Sequence, residues 1–504
     1  MTSERKRLLA DLIAGVSVAF VLIPQSLAYA ELAGMPAHYG LYAGSIPLVF
    51  AAVFASSNYL QTGPVALTAL LTFGALSTIA EPFSPEYVGL AALLALLVGV
   101  LRLVLGVIKA GGVAFLLSQP VLRGFVLGAA VLIFSSQLPA ATGTTGGPAR
   151  GVMRRALWVL THPGDWEFTA LALTAVTLAL IFGARRIHAL FPGVLVAVIA
   201  SAVFSAVSGY DGATVGVIEV KLSLDGMGAL PWDRLPALLV GGAVIALVGF
   251  AEPVSLARHF ADLEGEHWDP NREFISQGVA NVAAGLVSGF PVGGSFSRTS
   301  INHLAGARSR WAGAITGLAV IAFLPFAFLL EALPKAVLGA TIIAGVLKLM
   351  RLRPLVQIVR MSKLEGSLSL LVAVVTIASA PHLEYGVILG VVLSIGIQLA
   401  RGRTLRMRPE FSREYDGDVV RCHPRGALWF GSVAHVQDCF GAVLREEPGE
   451  RYELVCSGLE YVDLSGAVAL QGLVAQGESR GVRVDIAGAD PTLSALLKVI
   501  REEG

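Results

Sequence analysis

The residues best suited to chemistry in this sequence lie in the stretch FPVGGSFSRTSINHLAGARSR, from Phe290 to Arg310. This stretch is rich in Gly, Ser, Thr and Asn and carries Arg298, although apolar runs of membrane-spanning length surround it. Polar, irregular backbone at membrane depth is tolerated only where it is buried in protein or lines a cavity. A cation at that depth indicates a functional site. We therefore interpret this stretch as half of an anion-binding site.

The expected chemistry is capture of an anion by the positive ends of two short helices. Gly293-Gly294-Ser295 opens an apolar run at 295–304, and Gly63-Pro64 opens a similar run in the first half. Each helix N-terminus carries unsatisfied N–H groups and about half a positive charge, which suits an anion. Ser295 and Ser297 would add hydroxyl donors, and Arg298 would add a charged planar fork. Alternatively, Ser295 only caps its helix and Arg298 makes a structural ion pair.

Three further side chains can face the same cavity. Gln25 and Tyr29 are four residues apart and so share one helical face. They would line the cavity or, alternatively, hydrogen-bond neighbouring helices together. Glu252 ends the apolar run GGAVIALVGFAE. A carboxyl group buried there can exchange a proton at physiological pH, so we expect a proton- or cation-coupling role. The alternatives are a salt bridge, for example to Arg298, or a position at the cytoplasmic edge.

Composition assigns most of the chain to a membrane. The 504 residues are 55% hydrophobic and 14% charged, with a mean hydropathy of +0.72, whereas a soluble domain has about 25% charged residues. The formal net charge of +1 gives no sign of nucleic-acid binding. No nucleophile–base pair or metal-ligand cluster indicates an enzyme, a metal or a cofactor. The run from Leu8 lacks a cleavage site and is read as a retained helix, and the three cysteines as reduced thiols.

Fourteen hydrophobic runs can be distinguished, and two of them, the third and the tenth, are short and begin with Gly or Pro. The runs fall at 8–31, 37–55, 64–80, 87–108, 120–139, 166–183, 187–208, 235–255, 273–289, 295–304, 312–331, 335–349, 364–380 and 384–400. Basic residues follow the even-numbered runs, and the positive-inside rule then places both termini in the cytoplasm. The exceptions are Arg150, Arg154 and Arg155, which lie in a Gly/Thr-rich loop.

An internal repeat relates the two halves. Pro24, Ser26, Leu27 and Ala28 recur as Pro253, Ser255, Leu256 and Ala257, a shift of 229 residues, and Gly63 corresponds to Gly294. VLGA at 126–129 recurs at 337–340. Seven runs per repeat is an odd number, so the second repeat would enter the membrane from the opposite side. Inverted repeats of this kind are typical of transporters.

The character of the chain changes near Arg401, where short strands and helices begin to alternate. DVVRCHP, GALWFGS, YELVCSG and VRVDIAG are predicted strands, with helices at VAHVQDCFGAVLREE, SGAVALQGLVAQGESRG and PTLSALLKVI. This alternation predicts a small α/β domain. Within it, Asp463-Leu464-Ser465-Gly466 stands where a strand meets a helix. Asp463 or Ser465 is expected to cap that helix, with phosphorylation of Ser465 as an alternative.

Five motifs resemble the sulfate permease (SulP) family, which includes prestin and bacterial bicarbonate and dicarboxylate transporters. They are IPQSLAYAELAGMPAHYGLYAGSIP at 23–47, QTGPVAL at 61–67, GFAEPVSLARHFA at 249–261, NVAAGLVSGFPVGGSFSRTSIN at 281–302 and LPKAVLGATII at 333–343. Their order matches the family, and the resemblance covers nearly the whole chain. The last hundred residues resemble a STAS domain, including the D-x-S-G pattern at Asp463.

This resemblance implies an all-α polytopic membrane protein of fourteen segments in a 7+7 inverted repeat, followed by an α/β STAS domain. Residues 1–404 would form the transporter domain and 405–504 the cytoplasmic STAS domain. Segments 1–4 and 8–11 would form a core, with half-helices 3 and 10, and segments 5–7 and 12–14 a gate. The resemblance also implies a homodimer and elevator-like movement of core against gate. It places the anion site on the following residues: Gln25, Tyr29, Pro64, Val65, Ser295, Phe296, Ser297 and Arg298.

We therefore expect a secondary active transporter of small anions (dicarboxylate, bicarbonate or sulfate class) in the inner, or plasma, membrane. Family members with an acidic residue at the position of Glu252 resemble symporters, so coupling to protons, or to sodium, is expected. Anion exchange or channel-like conduction, a voltage-responsive motor, a proton–nucleobase symporter of the same fold and a membrane-tethered STAS regulator are the alternatives. Arg298 argues against a site for neutral bases, and Glu252 argues against a motor.

Overall fold

The computed structural model describes residues 3–501 except 112–117, 149, 188–192, 219–229, 265, 267, 348, 351, 401–408, 417–418, 447–450 and 480. In the first half it contains α1 (Ser3–Leu32), α2 (His38–Ala43), α3 (Ile46–Phe54), β1 (Thr62–Gly63), α4 (Ala66–Leu76), α5 (Pro85–Val107), α6 (Gln119–Thr142), α7 (Val152–Thr161), α8 (Phe168–Ile187) and α9 (Gly193–Ser208).

The second half repeats this order of elements. It contains α10 (Leu235–Leu263), α11 (Pro270–Leu286), β2 (Gly293–Gly294), α12 (Phe296–Leu304), α13 (Trp311–Phe323), α14 (Lys335–Val346), α15 (Arg353–Met361), α16 (Lys363–Ala378) and α17 (Glu384–Ala400). A 3-10 segment, Leu324–Leu330, extends α13.

Each of the fourteen predicted runs contains a helix. The second run is broken into α2 and α3 near Gly44, and the start of the seventh lies outside the described residues. Among the described residues, five helices are long and apolar enough to cross a membrane. The apolar runs fold as helices because a segment in lipid must satisfy its own backbone hydrogen bonds.

The two halves share particular irregularities. Both α1 and α10 carry a proline inside the helix, Pro24 and Pro253, at the positions that the repeat relates. Proline removes one helical hydrogen bond. Both halves then pass through a two-residue strand into a short helix, α4 or α12. Repeated breaks at equivalent positions agree with the internal repeat.

The membrane helices pack in two groups. In one group α11 packs on α5 and α3, α13 on α3 and α1, and α10 on α5 and α4. In the other group α6 packs on α14 and α16, and α8 on α14 and α9. Contacts between the groups are fewer and include α1 with α14 and α10 with α17. The short helices α4 and α12 and their turns belong to the first group.

The charged loop around Arg154 and Arg155 differs from the prediction, because it folds as helix α7. Its two arginines lie on the exposed side, while Ala156 and Val159 are buried. The Gly-rich sequence before it, with Gly146, Gly147 and Gly151 at positive φ, obscures the helical pattern. A surface helix explains how these arginines are accommodated.

The C-terminal domain is a mixed sheet with helices. Its elements are β3 (Glu410–Asp416), β4 (Val419–Leu428), α18 (Val433–Glu446), β5 (Arg451–Val455), β6 (Leu459–Val462), α19 (Leu464–Ser479), β7 (Arg483–Ala487) and α20 (Pro491–Arg501). The strand order is β3-β4-β5-β7, and β6 also pairs with β4. β3 is antiparallel to β4, and the other pairs are parallel.

Two strand predictions in this domain are wrong. DVVRCHP and GALWFGS are not separate strands, because β4 runs through Pro424 and Gly426. Gly426, at φ +95°, forms an irregularity where β4 changes partner from β5 to β6. Pro and Gly there mimic a turn in the sequence. β3 and β6 were not predicted. The proposed boundary at residues 404 and 405 lies outside the described residues.

Candidate functional site

The two Gly-containing turns meet as a two-residue antiparallel ladder. Thr62 pairs with Gly294, and Gly63 with Gly293. The Ser295 N–H donates to the Gln61 carbonyl at 3.0 Å, and the Gln61 N–H donates to Thr299 Oγ1 at 3.0 Å. Because α4 and α12 each start two or three residues after these paired strands, the N-termini of the two helices lie close together. The structure thus brings together the two turns that the sequence related.

Close approach explains the glycine at position 63. Gly63 has φ +147°, and a Cβ atom there would lie 3.3 Å from Nη2 of Arg298. Both the backbone conformation and the space favour a residue without a side chain. Pro64 and Val65, which follow, are buried, and Val65 is the N-cap residue of α4. These two residues contribute shape and backbone to the site rather than charge.

Arg298 is fully buried in the first turn of α12. Its Nη1 lies 3.5 Å from Oε1 of Gln25, a long hydrogen bond. Within the described part of the chain, Nε and Nη2 of Arg298 have no hydrogen-bond partner. A buried charge is costly unless it is paired. The guanidinium therefore has donors available for an anion.

Glu252 lies at the N-terminus of α12. Its Oε1 accepts a hydrogen bond from the Phe296 N–H at 3.2 Å. The structure describes the side chains of both Glu252 and Arg298, and they do not form the suggested salt bridge. Next to Glu252, Pro253 packs closely on Gly294, since a Cβ added at Gly294 would lie only 3.2 Å from Cγ of Pro253. The Glu252 carboxylate thus accepts a hydrogen bond from an N–H group that could otherwise donate to a bound anion.

Ser295 holds the N-cap position of α12 with extended backbone but makes no side-chain capping bond. Ser295 thus occupies the cap position that the alternative gave it, but its hydroxyl does not cap the helix. Its Oγ lies 3.4 Å from Oγ of Ser297, and Ser295 itself is buried. Both hydroxyls stand beside the first turn of α12, while the Phe296 side chain is 56% exposed. The backbone and hydroxyl groups of this turn face one small region.

Gln25 and Tyr29, in α1, are both 8% exposed. Gln25 contacts Arg298, and Tyr29 is close enough to Arg298 and Glu252 to interact with both electrostatically. The Tyr29 hydroxyl lies 4.0 Å from the position of a Cβ on Gly345 in α14. The predicted side chains on α1, α10 and α12 therefore converge, at a point where the two helix groups meet.

Several polar residues that hold this site were missed by the sequence analysis. Asn281 clamps Val292, donating to its carbonyl at 3.0 Å and accepting from its N–H at 2.9 Å. Gln61 is fully buried, and neither its side-chain nitrogen nor its oxygen has a partner among the described residues. Arg102, in α5, is fully buried and also bonds the Val292 carbonyl. The sequence could have indicated these residues, since each is a polar residue within or beside an apolar run.

The DLSG motif connects the C-terminal domain to the membrane helices. Asp463 accepts from the Gly466 N–H at 2.7 Å and so caps α19, as predicted. Burial and the nearby Glu365 carboxylate raise the pKa of Asp463 to about 7, and the backbone hydrogen bonds that its carboxylate accepts partly oppose this rise. Ser465 Oγ instead accepts from the Gln119 N–H, at 3.0 Å, in the first turn of α6. In this arrangement Ser465 is buried against the membrane domain.

Comparison with known proteins identifies the family. The sulfate permease family model matches residues 8–373. The chain belongs to the sulfate permease family. The STAS domain model matches residues 412–501. A probable sulfate transporter of Mycobacterium tuberculosis (strain CDC 1551) is 37% identical over 400 residues, covering 78% of this chain and 70% of the relative. Mouse prestin is 28% identical over 423 residues, covering 78% of this chain and 56% of prestin.

Solved structures show the same fold in this sulfate permease family member. A structure of SLC26A9 has a TM-score of 0.73 at 20% identity, covering 100% of this chain and 88% of that chain. The transmembrane domain of a cyanobacterial bicarbonate transporter, BicA, has a TM-score of 0.66 at 22% identity, covering 77% of this chain and 98% of that chain. The protein is thus a multi-pass membrane transporter with a STAS domain, and not an enzyme.

Proposed function

We propose that this protein is a secondary active transporter of small anions, with sulfate as the first candidate and bicarbonate and dicarboxylates next. Protons are the proposed coupling ion. The name of the Mycobacterium tuberculosis relative supports sulfate, and the name of the structurally similar bicarbonate transporter supports the wider class. No cofactor or metal is invoked, and the described residues contain no cluster suited to a metal ion.

The observation that supports the proposal most strongly is the burial of Arg298 without a full set of hydrogen-bond partners in the described chain. Its guanidinium is fully buried, beside the N-terminus of α12, with two nitrogen atoms lacking partners in the described chain. The substrate set is Gln25, Tyr29, Pro64, Val65, Ser295, Phe296, Ser297 and Arg298. A tetrahedral or planar oxyanion would accept from Arg298, from the serine hydroxyls and from N–H groups of the turn.

Coupling follows from the position of Glu252. The ionised carboxylate accepts the Phe296 N–H and places a negative charge where an anion would bind. The two negative charges would repel each other, so the anion binds more tightly when Glu252 is protonated. By linkage, the bound anion raises the proton affinity of Glu252 by the same factor. Joint binding and joint release of anion and proton is the thermodynamic basis of symport.

The proposed movement uses the two helix groups. Segments 1–4 and 8–11 (α1–α5 and α10–α13) would form a core that carries the site, and the remaining membrane helices a gate. The sparse packing between the groups supports relative motion. Residues 1–404 would form this transporter domain and 405–504 the STAS domain, in a homodimer in the inner membrane with both termini cytoplasmic.

Reconstitution into proteoliposomes tests the proposal. Uptake of labelled sulfate, bicarbonate and succinate would be measured with and without an inward proton gradient. We expect concentrative, saturable uptake of at least one anion that depends on the gradient. Uptake that only exchanges internal for external anion, with no response to a pH gradient, would replace symport by exchange. No anion uptake in vesicles that contain folded protein would contradict the proposal.

A further inference from the structure

Arg102 is a second fully buried arginine, and its bond to the Val292 carbonyl alone does not account for its charge. It lies in α5, within the apolar run LAALLALLVGVLRLVLGV. Across the described chain, no carboxylate lies within ion-pair distance of its guanidinium. Within the described chain its three hydrogen bonds go to backbone carbonyls instead: Nε to Ala246 at 3.1 Å, Nη2 to Ile245 at 3.0 Å and Nη1 to Val292 at 3.0 Å.

These carbonyls belong to α10, which carries Glu252, and to the segment that leads into α12, which carries Arg298. Ala246 and Ile245 lie in α10, two turns before Glu252. Val292 directly precedes β2 and the N-terminus of α12. The Val292 carbonyl also accepts from Asn281, so two donors from different helices fix it. Arg102 therefore joins α5, α10 and the turn that leads to Ser295.

Close packing keeps this guanidinium in place. A Cβ on Gly249 would lie 2.9 Å from Nη2 of Arg102, and the Phe250 ring centroid lies 5.8 Å from its Cζ. Gly249 is one turn from Glu252. On the other side, Gly249 and Gly293 both approach Thr68 of α4. The charge thus lies behind the ladder of β1 and β2, within the same helix group as the site.

A carbonyl dipole stabilises a cation without cancelling its charge. Arg102 therefore contributes a positive potential in an interior from which water is excluded, where electrostatic interactions are stronger than in water. Coulomb energy is proportional to the charge of the anion, so a fixed cation favours a divalent anion over a monovalent one. We propose that Arg102 is a positioning residue of the anion site: it fixes the turn at Val292 and favours divalent anions without contacting them.

This inference rests on the proposed anion site, and a matched pair of variants tests it. Arg102→Gln keeps a hydrogen-bond donor but removes the charge, whereas Arg102→Lys keeps the charge. The dissociation constant of the purified full-length protein would be measured for sulfate directly and for bicarbonate by competition. We expect Arg102→Gln to weaken bicarbonate binding roughly fivefold and sulfate binding roughly 25-fold, because the effect doubles on the free-energy scale. Arg102→Lys should restore most of the preference for sulfate.

Equal weakening for both anions, or identical behaviour of the Gln and Lys variants, would overturn the electrostatic role. Wild-type affinity for sulfate in Arg102→Gln would overturn the whole inference while leaving the proposed function intact. If wild-type protein binds neither anion, the proposed function itself fails. Size-exclusion profiles identify a variant that does not fold. In that case the preference measured in Arg102→Lys decides, since loss of the preference with the charge retained contradicts the proposal.

Discussion

The two turns that meet at the site have the same backbone and opposite chemistry. Gly63-Pro64-Val65 and Gly294-Ser295-Phe296 each lead from a two-residue strand into a short helix, and the strands pair with each other. The first turn carries no hydroxyl and no charge. The second turn and the first turn of α12 that follows it carry Ser295, Ser297 and Arg298, and Glu252 accepts the N–H of Phe296. The two turns thus share a backbone, and under the proposed function the groups that bind the anion come from the second turn.

This contrast also explains what the sequence could predict. The inverted repeat and the polar stretch were visible because Gly, Pro and Arg298 interrupt apolar runs. The contact of Glu252 was not visible, since Glu252 and the Phe296 N–H that it accepts are 44 residues apart in the chain and meet only in the fold. Arg102 lacks a motif and acts on carbonyls far along the chain. Likewise, the continuity of β4 through Gly426 depends on which strand pairs with each of its halves.

The largest expected effect comes from the second turn. Arg298→Ala should reduce sulfate uptake at least about 30-fold, since removing one member of a buried, hydrogen-bonded charge pair costs about 2–5 kcal/mol. Initial rates of labelled sulfate uptake in proteoliposomes measure this. Arg234→Ala, which removes an exposed arginine, is the matched control. Near-normal uptake by Arg298→Ala would move the site away from the second turn.

Glu252→Gln separates binding from coupling in the same turn. The amide cannot change its charge, so concentrative uptake driven by a proton gradient should fall to background. Exchange of internal for external sulfate should persist, because Gln retains an oxygen that can accept the Phe296 N–H. The two modes are measured in parallel on one preparation. Continued gradient-driven accumulation by this variant would remove Glu252 from the coupling mechanism.

The first turn should matter through shape alone. Gly63→Ala introduces a Cβ 3.3 Å from Nη2 of Arg298 at φ +147°, a conformation that alanine rarely adopts. We expect roughly tenfold weaker sulfate binding, a loss of about 1.4 kcal/mol. Gly183→Ala, where a Cβ meets open space, is the control. If Gly63→Ala binds sulfate normally, the two turns are less tightly coupled than the ladder indicates.

Ser295→Ala should have a smaller effect than any of these three changes. The hydroxyl makes no capping bond, so the helix keeps its N-terminus and loses one donor beside the anion. A single hydrogen bond typically contributes about 0.5–1.5 kcal/mol net. Sulfate binding should therefore weaken about tenfold or less, with an unchanged melting temperature. A large drop in melting temperature would show that Ser295 is structural.

The smallest effect on anion binding should lie outside both turns, at Asp463, where the change concerns stability. Its pKa of about 7 exceeds the usual value for Asp, so the folded domain binds this proton more tightly than the unfolded chain does. Stability should therefore decrease as the pH rises from about 4 to 7, then level off. Asp463→Asn should flatten this dependence by about a few kcal/mol or less. Thermal unfolding of the full-length protein in detergent at several pH values measures it. An equally steep profile in Asp463→Asn would assign the dependence to other groups.

The competition between Glu252 and the anion for the N-terminus of α12 is tested most directly by proton uptake on binding. Sulfate would be added to weakly buffered, purified protein while the pH and the bound sulfate are recorded. The account predicts that sulfate binding takes up protons, with tighter binding at lower pH, and that Glu252→Gln binds sulfate without this uptake. Sulfate binding with no proton uptake by the wild-type protein, or with the same uptake by Glu252→Gln, would contradict it.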